Sequence, residues 1–213
     1  MTQLAKRQPG RPKDEVLQGR RREEILEQAA RAFAEHGYPG TDVQWIADAI
    51  GVSKGTIYRY FASKEKLFLS AVGRGVSQLY DHVAASRVGI EDTLELIRVS
   101  VISYLEFFKK NPQLVELFIQ ERAEFKGKRR PIYFEHKDAR RAPWRELIGE
   151  LIERGKVRQM PVDRLLDVLG DLMYGTMFTN HFAGRDKPFE AQAENILDIF
   201  FMGILSDQER KSR

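Results

Sequence analysis

The most specific chemistry in this sequence sits on one short segment. Lys54, Thr56, Tyr58 and Arg59 fall within residues 53–60, a stretch that reads as a short helix capped by Ser53. An ammonium, two hydroxyls and a guanidinium projecting together are donors suited to phosphate oxygens and base edges. Tyr60 and Lys64 add a hydroxyl and an ammonium near helix ends. Lys64 falls in the first turn of the next helix, capped by Ser63, where free backbone N–H groups favour an anion and where a lysine otherwise opposes the helix dipole. No catalytic constellation competes with this. His36, His82, His136 and His181 show no metal-ligand spacing, and Glu135 beside His136 points away from it on a helix. There is no G-x-S-x-G, no H-E-x-x-H and no phosphate-binding glycine loop. The absence of cysteine excludes thiol nucleophiles, disulfides and thiolate metal sites. The expectation is a binding protein with no enzyme activity, no catalytic residue, no metal and no cofactor.

The elements that must position these donors are helices. Residues 20–36 carry Ile25, Leu26, Ala29, Ala30 and Phe33 on one stripe, ended by Gly37. A second helix starts at Thr41, whose hydroxyl can cap it, with Gln44 completing a capping-box pattern; Val43, Ile46, Ala47 and Ile50 form its inner face and Gly51 stops it. With Val43 as the first position of a helix-turn-helix, the fifth is Ala47, small because the second helix crosses there. The ninth is Gly51, free to take a positive φ, and the fifteenth is Ile57, apolar to lock the two helices together.

The run GYPGTDVQWIADAIGVSKGTIYRYFASKEKLF resembles the DNA-binding domain of the TetR family of bacterial regulators. Phe33, Gly37, Thr41, Ile46, Ala47, Gly51, Ser53, Gly55, Thr56, Tyr58, Phe61, Lys64 and Leu67 carry the resemblance, which covers residues 20–70. It implies a phosphate contact from Thr41, a major-groove face made of Lys54, Gly55, Thr56 and Arg59, packing of Tyr58 on a base methyl or phosphate, and a backbone clamp by Tyr60 and Lys64. Lys54 and Arg59 are the candidate readers of guanine. Tyr60 stands where many relatives carry histidine, and either can donate to phosphate.

Charge supports a nucleic-acid partner. Residues 1–75 hold 13 Lys/Arg against 9 Asp/Glu, while residues 76–213 hold 22 of each, so the net +4 lies entirely in the first third. Residues 1–19 read as a flexible basic arm, in which Arg11 of the PGRPK run could enter a minor groove; a solvated tail is the alternative. No apolar run is long enough to span a membrane and no secretory signal is visible, so a cytoplasmic location is expected.

The fold class expected is all-α: a three-helix helix-turn-helix domain at 20–66, then a helical effector-binding and dimerisation domain at 67–207, and a disordered tail at 208–213. Further helices are read at 92–110, 112–125, a region to 155 that Pro143 kinks or splits, 163–182 capped by Asp163, and 188–205. Tyr104, Phe107, Phe108, Phe118, Trp144, Tyr174 and Phe178, with Arg122, His136 and His181, are candidates for an effector pocket with apolar walls and a few polar groups; an aromatic stripe of this kind also serves as plain core. The cations between Lys126 and Arg145, opposed locally by Glu135 and Asp138 alone, read as a solvated loop, a site for an anionic effector group, or a DNA-facing surface. Leu165, Leu169, Leu172, Ile196, Phe200, Phe201 and Ile204 give more apolar surface than one chain needs and read as a homodimer interface, with Gly170 and Gly175 allowing close approach. The partners expected are operator DNA, a small-molecule effector and a second copy of the chain, giving a repressor released from a palindromic operator by a bulky, partly apolar effector. An effector-independent nucleoid-type binder is the other reading.

Overall fold

The computed structural model describes residues 15–185 and 187–203. Arg11, Ile204, and the expected arm and tail outside these limits lie beyond the described residues. Ten helices and no strand occur among them: α1 (Glu15–Gly40), α2 (Val43–Ala49), α3 (Lys54–Tyr60), α4 (Lys64–Ala85), α5 (Thr93–Lys110), α6 (Pro112–Glu124), α7 (Ile132–Ala139), α8 (Arg141–Glu153), α9 (Val162–Ala183) and α10 (Phe189–Met202).

Local signals explain most of the boundaries. Asp92 caps α5 by accepting from Glu95 N, and Ser53 and Ser63 cap α3 and α4 in the same way. Gly37 breaks α1 at φ 74°, and Gly51 turns between α2 and α3 at φ 66°, both in the left-handed region that favours glycine.

Four expectations are corrected. The first helix begins at Glu15, not at residue 20, because the Glu, Leu, Gln and Arg residues around Gly19 favour helix strongly enough to carry it. The cap of α2 is Asp42, whose carboxylate accepts from Gln44 N; Thr41 is buried and its hydroxyl donates back to Gly37 O (2.7 Å). The region 132–155 splits at Arg140, three residues before Pro143, which then sits in the first turn of α8 where its missing N–H costs nothing. Asp163 does not cap α9, whose cap position is Pro161; its carboxylate turns to Arg141 and Arg145 instead.

One core joins the two halves. Ile25, Leu26, Ala29 and Phe33 of α1 pack with Ile46, Ala47, Ile57, Leu67 and Phe68, all essentially without solvent exposure. The helix α4 runs through both parts: Phe68 meets the rings of Phe33, Tyr38 and Phe125, while Leu79 and Tyr80 line a cavity among the later helices. The boundary drawn at 66/67 therefore falls in the first turn of a continuous helix.

Candidate nucleic-acid interface and effector cavity

The helix α3 is fixed by a single buried anchor. Ile57 is 1% exposed and seats α3 on α2, leaving Gly55, Tyr58 and Arg59 facing solvent and Lys54, Thr56 and Tyr60 half-buried. Of the expected DNA-contacting residues, Lys54, Gly55, Thr56, Tyr58, Arg59 and Tyr60 thus lie together on one short helix. Thr56 hydrogen-bonds Ser53 Oγ at 3.0 Å, and the Arg59 guanidinium lies 5.6 Å over the Tyr60 ring.

Two residues play parts that spacing could not show. Lys54 Nζ donates to Asp42 Oδ1 at 2.7 Å, tying the N-termini of α2 and α3 together. The Gln44 amide and the Lys54 ammonium hold the Asp42 carboxyl below its usual range, and the pairing pushes the Lys54 ammonium up. Lys64 Nζ donates to Pro39 O at 3.1 Å and lies 5.0 Å over the Tyr38 ring, and burial lowers its pKa. Lys64 thus anchors the loop before α2 to the start of α4. The Thr41 hydroxyl turns inward to Ala32 O and Gly37 O, and its N–H also donates to Gly37 O, so the residue is buried.

The expected effector residues divide among several places. Tyr104 and Trp144 line a largely apolar, half-open cavity of about 170 Å³ between α4, α5, α7, α8 and α9. Phe108 and His181 line a second, of about 220 Å³, near the ends of α5 and α9, where His181 Nε2 is 2.7 Å from Glu116 Oε1. Phe107 and Phe118 are core, Arg122 is exposed, and His136 Nδ1 faces Arg140 at 3.2 Å. Tyr174 and Phe178 extend a run of stacked rings from Tyr133 to Phe182 and line neither cavity. In the first cavity the Tyr104 and Tyr133 hydroxyls bond each other at 3.0 Å, and burial raises both phenols' pKa. Sequence reasoning missed Tyr80 and Val83 of α4 and Arg87 just beyond its C-terminus, which line the same cavity. Their helical spacing with Val76 and Leu79 was the available signal.

The basic cluster is partly neutralised, by the local acids Glu135 and Asp138 and by acids of α9 distant in sequence. Arg141 binds Asp163 and Asp167 (both 2.8 Å or less), Arg145 binds Asp163, Arg130 binds Asp138, and Arg129 reaches Glu135 and Glu121. The expected count of two opposing acids overlooked the acidic face of α9.

The expected dimer residues also separate. Leu165, Leu172, Phe200 and Phe201 line an open groove of about 1130 Å³ on α9 and α10, beside the exposed Val168, Ile199 and Met202. Leu169 instead lines the inner cavity, and Ile196 packs partly buried on the core. Gly170 faces Lys137 of its own chain, where an added Cβ would lie 2.7 Å from Nζ, so its small size serves α7–α9 packing. Gly175 has nothing within 4 Å.

A buried α2, a glycine turn and an exposed donor-bearing α3 define a helix-turn-helix DNA-binding domain. Residues 25–71 match the family model described as bacterial regulatory proteins, tetR family, so this segment carries that family's DNA-binding domain. Over 64 residues it is 44% identical to the HTH-type transcriptional repressor AcnR of Corynebacterium diphtheriae, a match covering 30% of this chain and 34% of the relative. Over 109 residues it is 30% identical to the HTH-type transcriptional activator FasR of Mycolicibacterium smegmatis, covering 51% and 48%. A match to the nucleoid occlusion factor SlmA of Haemophilus ducreyi is 30% identical over 107 residues, covering 50% and 52%. The chain thus spans between about a third and a half of these relatives' length. Among solved structures, the fatty acid degradation regulator FadR of Bacillus halodurans superposes with TM-score 0.72 at 20% identity, over 91% of this chain and 97% of that one. FadR of Bacillus subtilis in complex with stearoyl-CoA gives 0.71 at 19% identity, over 86% and 99%. These last two likenesses establish the fold over about nine-tenths of the chain. Among the described residues no helix is long and apolar enough to cross a membrane.

Proposed function

We propose that the protein is a sequence-specific transcriptional regulator, a binding protein and not an enzyme. It acts as a homodimer, binds a palindromic operator through α3, and is released by a small, partly apolar effector. The observation that carries this reading is the presentation of Lys54, Gly55, Tyr58 and Arg59 on a helix locked by Ile57. The effector is assigned to the 170 Å³ cavity, whose exposed wall is mainly apolar and whose lining also carries hydroxyls and four cations. That the similar fold of Bacillus subtilis FadR holds stearoyl-CoA supports a small-molecule effector. Repression is favoured by the higher identity of the AcnR match, and the groove on α9 and α10 supports the dimer.

The test is selection of bound sequences from a random double-stranded DNA pool by the full chain. A two-fold motif with half-sites about one helical turn or more apart is expected. Enrichment of no motif would sink the operator reading. It would favour an effector-independent, nucleoid-type binder, a reading to which the SlmA likeness lends weight. The effector claim is tested separately by titrating an uncharged hydrophobic dye: no binding and no stabilisation would count against it.

A further inference from the structure

Charge is distributed very differently around the α9–α10 groove and the 170 Å³ cavity. The groove on α9 and α10 has a balanced rim, with acids and bases in equal number. The inner cavity is lined by Arg87, Lys137, Arg140 and Arg141 and by no acidic residue. Two of these cations have carboxylate neighbours: Arg141 holds Asp163 and Asp167, and Lys137 lies 4.0 Å from Asp171. Arg87 and Arg140 form no ion pair among the described residues. Each instead lies over an aromatic ring, Arg87 at 5.0 Å from Trp144 and Arg140 at 4.7 Å from Tyr80. A ring face attracts the cation but takes up none of its in-plane N–H donors. Among the described residues Arg140 has the His136 Nδ1 acceptor at 3.2 Å; burial and the arginine lower the His136 pKa against a smaller opposing pull from Glu135, which favours the neutral ring. Burial also works against the Arg87 charge.

A partly desolvated guanidinium without a counterion is costly, and two of them at one apolar cavity leave strong donors unmatched. Resting on the effector reading above, we infer that the effector is a compact organic anion whose carboxylate or phosphate is held by Arg87 and Arg140. Its apolar body packs against Val83, Val101, Leu166 and Met173. The volume guides the size of the apolar body: it is about 170 Å³. That suits a ring or short chain and not a long acyl tail, in contrast to the ligand of Bacillus subtilis FadR.

Calorimetric titration of the full chain with 1-naphthoate, 1-naphthyl phosphate, neutral 1-naphthamide and 1-naphthylmethylammonium tests this without a mutation. At least one anion is expected to bind about tenfold or more tighter than the amide, the size of a charge-assisted hydrogen bond. The stronger of the two identifies the headgroup. In the Arg87→Gln/Arg140→Gln variant that advantage disappears while the amide binds as before. An amide that binds wild type as tightly as both anions overturns the anion inference and leaves the effector reading standing, as does an ammonium that binds tightest. If none of the four binds, the anion site is overturned, and the effector reading is decided by the neutral-dye titration.

Discussion

The DNA-binding helices and the α7–α10 region close their cores to different degrees, although Val16, Leu17, Trp45 and Tyr58 of α1–α3 are themselves exposed. In α1–α3 the chain closes its own core: Ile25, Leu26, Phe33, Ile46 and Ala47 are wholly buried. In α9 and α10, Phe182 is 68% exposed, Met202 57% and Ile199 54%. A helix that must meet a rigid duplex needs a fixed seat, and complete packing supplies one. On the proposed reading, a region that receives an effector and a second subunit needs volume and apolar surface left unfilled by its own chain.

Mutations can break that contrast. Phe33→Ala removes a ring packed on Tyr38 and Phe68 and should cost about 3–5 kcal/mol in chemical denaturation. A small loss would mean that the N-terminal core is less closed than its burial implies. Ile199→Asp should leave the fold within about 0.5 kcal/mol, since the side chain is half exposed, yet convert a dimer to monomer in sedimentation and weaken operator binding. A variant that stays dimeric moves the interface elsewhere. Arg59→Ala should cost about 1–3 kcal/mol of operator affinity by fluorescence anisotropy, with unchanged thermal unfolding. Equal loss on all DNA sequences would reassign Arg59 from base reading to phosphate contact.

The smallest effect expected concerns Glu121, which is 2% exposed, accepts from Ile132 N at 3.1 Å and leaves Oε2 unpartnered. Burial raises its carboxyl pKa, partly offset by the Ile132 amide and by Arg129. A raised acid contributes stability that is present below its unfolded pKa and lost as pH rises through the folded one. Glu121→Gln should therefore raise the melting temperature at pH 7 and leave it nearly unchanged near pH 4. A lower melting temperature at pH 7 would show that the Arg129 attraction outweighs burial.

What the sequence by itself determined was local. The Ser53, Ser63 and Asp92 caps act over three residues, Gly37 and Gly51 act at their own φ, and the positions of Ala47, Gly51 and Ile57 specify how two short helices cross. Such signals are legible because cause and effect lie within one or two turns. What only the tertiary structure decided was which distant groups meet. It turned the Thr41 hydroxyl inward and brought Asp42 to Lys54. It used Asp163 and Asp167 to neutralise Arg141, and left Arg87 and Arg140 against rings with no carboxylate. Among the aromatics it put Tyr104 and Trp144 at the cavity and Phe107 and Phe118 in the core. The physical reason is that a side chain's partner depends on how each helix is rotated and docked, and that follows from packing the whole core.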